Sequence, residues 1–114
     1  MKKLMLLVAV MLQSVPTLAR DLIDEKTHEY TPYGLAIAMI ASAQVSEMRC
    51  NKKGQIDLAV AKAQRMGVPI DINDKEDFAS VLFIATDIMT QLKKEGVTSW
   101  CKKSADLEKL LKEP

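Results

Sequence analysis

DKEDFASVLFIATDIMTQLKKE, residues 74–95, reads as a single long amphipathic helix. Phe78, Val81, Leu82, Ala85, Ile88, Met89 and Leu92 recur at the i, i+3, i+4, i+7 spacing that lines one face of a 3.6-residue repeat, and Phe83 and Ile84 widen that face as a central helix requires. Its ends agree with the helix dipole. Asp74, Glu76 and Asp77 stand at the start, Lys93 and Lys94 near the end, and Gly96 follows as a left-handed cap. Asn73 is the expected N-cap, with Glu76 three residues on completing part of a capping box.

Upstream, Val68-Pro69-Ile70-Asp71-Ile72 is held extended by the proline, with both isoleucines expected to tuck under the domain. Before it, Ile56, Ala59, Val60, Ala63 and Met66 give a helix over 55–66, stopped by Gly67. A further helix runs from Pro32 to about Arg49, with Thr31 as N-cap and Pro32 at the first helical position. It is apolar over most of its circumference through Leu35, Ile37, Met39, Ile40 and Val45. Downstream, a last helix begins around Thr98 or Ser99, carries Trp100, Cys101, Leu107, Leu110 and Leu111, and is expected to break near Ser104. No strand-like alternation competes, so the expected fold is all-α, a small bundle of about four helices over 32–114.

The first 19 residues, MKKLMLLVAVMLQSVPTLA, fit an export signal: Lys2 and Lys3 form a basic start, Leu4 to Leu12 an apolar core, and Thr17-Leu18-Ala19 a small-residue cleavage site before Arg20. The apolar run is well short of the ~20 residues needed to span a bilayer. Cleavage between Ala19 and Arg20 leaves 95 residues, enough for one domain with one core and no stable membrane insertion. It also leaves 14 Lys and Arg against 15 Asp and Glu, a net charge of −1, which argues against a nucleic-acid surface. Residues 20–31, RDLIDEKTHEYT, are charged and lack a sustained apolar face, so they read as a mobile or loosely docked arm.

Export fixes the meaning of the two cysteines. In the periplasm, or outside the cell, Cys50 and Cys101 are expected to form one disulfide, stapling the end of the first helix to the start of the last on one side of the long third helix. A redox enzyme would need CxxC, and a zinc site four clustered ligands where this chain has two cysteines and one histidine.

Other candidates for chemistry are weak. His28 beside Asp24, Glu25 and Glu29 resembles a metal or pH-sensing cluster, but a lone histidine on an arm has no fixed geometry. The run Asp71 to Asp77 fails the EF-hand pattern, with Lys75 at the fifth position and Glu76 in place of the turn glycine. Five aromatic residues are sparse for a sugar cleft, and no carboxylate pair stands out. Ser42, Ser46, Ser80, Ser99 and Ser104 lack a nucleophile-elbow context. No cofactor is expected, and the sequence points away from an enzyme. The small-residue stripe Gly34, Ala38 and Ser42, with Ala36, Ala41 and Ala43 beside it, either packs the core or forms a homodimer or partner face.

This plan, with one cysteine after an early helix and a second about fifty residues later in SWCKKSADLEKL, resembles the small acid-stress periplasmic chaperones of the HdeA and HdeB type. That resemblance implies a disulfide-stapled helical dimer that loosens in acid and holds unfolding clients. The sequence departs from that type in closing its first helix at Cys50 and following it with Asn51-Lys52-Lys53. The plan is also similar to the exported immunity proteins that neutralise type VI amidase toxins, in which a late cysteine precedes a leucine-bearing helix much as Cys101 precedes Leu107 and Leu110. Exported two-cysteine proteins linked to host association look alike too. The expected function is a small periplasmic binding protein acting through protein contacts, as a stress chaperone, with an inhibitor, immunity or virulence factor as the alternative.

Overall fold

Thr31 starts the helical body: its extended backbone lets the side chain accept a hydrogen bond from the Gly34 amide at 2.9 Å, and Pro32 follows at the first helical position. In the computed structural model, which describes residues 22–114, four helices result. They are α1 (Pro32–Arg49), α2 (Gln55–Arg65), α3 (Lys75–Glu95) and α4 (Val97–Lys112). The described residues contain no sheet, only an isolated antiparallel bridge between Ile23 and Tyr30. The fold is all-α, as the apolar periodicity requires.

The packing order differs from the expectation. The hub is α1, not α3: α1 packs on each of the other three helices, whereas α2 and α3 do not pack on one another. Composition explains this. The alanines of α1 let neighbours approach on several sides, and Ala36, Ile37, Ile40, Ala41, Ala43 and Val45 are all fully buried. Tyr33 at the start of α1 meets Asp77 and Ser80 at the start of α3, and Cys50, just beyond α1, meets Cys101 in the second turn of α4, which follows the end of α3 directly. The two helices therefore run in the same direction, and α2 with its loops is the crossover between them.

Local signals were overridden at several points. Asp74, not Asn73, caps α3, accepting from the Glu76 and Asp77 amides at 3.1 Å each. Asn73 is instead held back in a turn, its amide donating to Asp71 Oδ1. Ile70 is buried, but Ile72 is exposed. At Gly96 the backbone (φ 94°, ψ 144°) lies outside the left-handed helical region, and this one residue both ends α3 and precedes α4. The last helix begins at Val97 and continues through Ser104 without a break, because Ser104 is buried and its hydroxyl returns to the Cys101 carbonyl at 2.8 Å. Gly54 offers α2 no side-chain cap, so Glu47 on α1 takes that role, accepting from the Ile56 amide at 2.7 Å.

Residues 22–31 dock on the helical body through Leu22. Leu22 is only 2% exposed, and its carbonyl accepts from the Thr31 amide at 3.0 Å. A turn closes between them, with the Asp24 amide donating to Glu29 and the His28 amide to Asp24, both at 2.8 Å. One buried leucine is too short a signal to register as an apolar face. The segment 1–19 read as an export signal, with its expected cleavage point at Ala19 and Arg20, lies outside the described residues.

Candidate interaction surface

Cys50 and Cys101 are bonded, with Cα atoms 5.6 Å apart and a sequence separation of 51. No free cysteine remains. The bond points to an oxidising, extracytoplasmic compartment, and among the described residues no helix is long and apolar enough to cross a membrane. Beside it the Ser104 hydroxyl lies 3.8 Å from Cys50 Sγ, so the staple is packed into the first turns of α4.

The residues weighed for chemistry are placed apart or spent on the backbone. His28 is exposed on the turn of the docked arm. Three of the four carboxylates of 71–77 already accept local amides: Asp74 caps α3, Asp71 holds Asn73, and Asp77 Oδ2 accepts from the Asp71 amide at 3.0 Å. No group of three or more His, Cys, Asp or Glu among the described residues comes together to hold a metal ion. Ser46 and Ser80 are buried and donate to helix carbonyls four residues back, while Ser99 is exposed. The best-formed hollows, beside Asp71, Asp74, Glu76 and Asp77 and beside Ile23 to Thr31, are shallow and open.

The stripe Gly34, Ala38 and Ser42 has a different fate at its two ends. Gly34 is covered by the chain itself: a Cβ there would stand 1.9 Å from the Leu22 carbonyl oxygen, so the arm's backbone lies directly on the glycine. Its small size serves an internal contact. Ala38 and Ser42 are half-buried, and Ala38 packs against the core.

Among the described residues, Leu35 and Met48 on α1 and Val97 and Leu110 on α4 are also exposed, but α3 presents two large apolar side chains one turn apart. Phe78 is 44% and Leu82 is 42% exposed, and as i, i+4 neighbours they form one apolar surface. Both were expected in the core. They face outward because α3 meets α1 and α4 but not α2, so its wide apolar face is only partly covered. Tyr33 fixes this end of α3, donating to Asp77 Oδ1 at 2.7 Å, with the Ser80 hydroxyl 3.3 Å from the same phenolic oxygen. On the arm, half-burial and the nearby Asp87 carboxylate push the Tyr30 phenol above its ordinary range.

Sequence reasoning missed two further contacts. Tyr33 gave no signal beyond its place in an apolar helix. Arg65 donates to the Leu111 and Glu113 carbonyls at 3.0 Å each, and Lys62 to the Glu113 carbonyl at 3.0 Å, so α2 caps the open end of α4. Their only trace was Lys62 and Arg65 lying outside the apolar stripe of α2. No family model, curated protein or solved structure matches this chain.

Proposed function

We propose that this chain is an exported periplasmic binding protein that acts through protein contacts, holding partly unfolded clients under acid stress. The observation that carries the reading is the Phe78–Leu82 pair. Two large apolar side chains one turn apart on the longest helix cost solubility unless they meet a partner. The disulfide supports the reading, since it keeps the helices tethered in conditions where carboxylates are neutralised and the lysines leave a large positive charge.

The test is aggregation of an acid-sensitive client near about pH 3, below the ordinary carboxylate range, with equimolar protein. Suppression is expected, and Phe78→Ser with Leu82→Ser should weaken it while leaving helix content intact. Unchanged aggregation removes the holdase reading. A single tight partner recovered at neutral pH, lost in the same double variant, would move the assignment to a dedicated inhibitor or immunity protein using this surface.

A further inference from the structure

α4 is the least embedded of the four helices. Of its 16 residues only Ser104 and Leu111 are buried, with Trp100, Cys101 and Leu107 half-buried, whereas α1 buries most of its length. Yet α4 packs on α1, α2 and α3, and α2 and α3 do not pack on each other. The arrangement is a groove with α1 as its floor, α2 and α3 as its walls and α4 laid across them. The side chains α4 turns inward, Trp100, Ser104, Leu107 and Leu111, fall at i, i+4, i+7 and i+11, one stripe along the helix.

Its attachments are concentrated at the two ends. At the first turns the Cys50–Cys101 bond ties it to the end of α1, and there Gly96 provides no side-chain cap. At the other end Leu111 is fully buried and Arg65 and Lys62 hold the last carbonyls. On the outer face Glu108 meets Lys112 at 3.4 Å and Lys52 at 3.6 Å, contacts that water screens. Both sulfurs belong to half-buried residues, within reach of a reductant.

We propose that α4 is a disulfide-latched lid, released when a dithiol reduces the Cys50–Cys101 bond, uncovering the apolar floor on α1. The step balances as thiol–disulfide exchange. A thiolate of the dithiol attacks one sulfur, the Cys50–Cys101 bond breaks, and a mixed disulfide forms. The second thiol of the reductant then displaces the remaining cysteine. Two electrons pass to the protein, Cys50 and Cys101 take up protons as thiols, and the dithiol leaves as a disulfide. The inference concerns α4 alone and stands independently of the Phe78–Leu82 surface.

The experiment is amide hydrogen exchange on the full chain, oxidised and after dithiothreitol, read peptide by peptide. Reduction is expected to speed exchange over residues 97–112 by about tenfold or more while residues 32–49 and 75–95 keep their protection. Trp100, the one tryptophan of the chain, should shift its emission to the red in the same sample. Unchanged exchange over 97–112 overturns the proposal, and so does loss of protection in all four helices together. A second arm keeps the bond intact: Leu111→Ala in the oxidised protein should loosen residues 104–112 and leave 32–49 protected. Loss spreading into α1 would show that α4 is part of the core and not a lid.

Discussion

Replacing Gly34 by alanine sets two physical effects against each other. Intrinsic helix propensity favours alanine by up to about 1 kcal/mol. Against this, the new Cβ would meet the Leu22 carbonyl oxygen at 1.9 Å, and the obstacle is backbone, not a side chain that can rotate away. The arm must lift. Leu22 then returns to water, at a cost of roughly 2 kcal/mol for a fully buried leucine, and its carbonyl loses the Thr31 amide and hydroxyl, worth about 1 kcal/mol or more together. The net expectation is destabilisation by about 2 kcal/mol. In urea that moves the unfolding midpoint down by about 1–2 M for a domain of this size. Exchange of the Thr31 and Asp24 amides should rise in parallel, because both bonds belong to the docked turn. A cycle with Leu22→Ala isolates the mechanism: once Leu22 is truncated, the alanine at position 34 should cost much less than it does alone. A Gly34→Ala protein as stable as the parent, with Thr31 still protected, would refute the argument and return the glycine to the outer surface.

Other perturbations follow from single contacts. Tyr33→Phe removes a hydrogen bond to a carboxylate that joins the starts of α1 and α3, and should cost about 1.5 kcal/mol in a urea titration, an unchanged midpoint refuting the link. Asp74→Ala should cost about 1 kcal/mol, whereas Asn73→Ala, whose side chain is not the cap, should cost much less. Glu108 has its pKa held below the ordinary value chiefly by the hydrogen bond from Lys112; loss of hydration opposes this, and the charges of Lys112 and Lys52 add to the lowering. A lowered folded-state pKa stabilises above the unfolded value, and that contribution is lost as pH falls through the folded value. Glu108→Gln should therefore show a slightly shallower loss of stability on acidification below about pH 5, and identical slopes would contradict this. Tyr30, with its pKa raised by burial and then by Asp87, runs the other way: its contribution is complete below about pH 10 and disappears above it. A 295 nm titration should find the late-ionising phenol abolished by Tyr30→Phe.

Local chemistry made much of this fold legible and left its assembly hidden. Thr31-Pro32 gave the start of α1, Gly67 the end of the α2 segment, and two cysteines behind an expected export signal gave the staple. Each of those readings depends on neighbours in sequence or on compartment. Which helix occupies the centre depends instead on how closely backbones can approach, and the alanines of α1 won over the larger side chains of α3. For the same reason Phe78 and Leu82, sound members of an apolar stripe, end on the outside: a stripe tells how wide a face is, not how many partners cover it. The docking of Leu22 had no periodic signature because a single residue makes it, and the only hint was a glycine early in a helix. The break expected at Ser104 is absent because its hydroxyl is satisfied within the helix by the Cys101 carbonyl while the residue is buried beside the disulfide.

Gly96 joins α3 to α4 without a linker, and its φ of 94° with ψ of 144° belongs to a region nearly closed to other residues. The corner therefore works as a ruler. Cys101 comes five residues after it, so the angle set at one glycine decides whether the two sulfurs arrive within bonding range during oxidation. Changes in chain length are consequently tolerated unequally: the loop residues 51–53 can absorb an addition, while one inserted in α4 between Gly96 and Cys101 turns Cys101 by about 100° around the helix and carries its thiol away from Cys50.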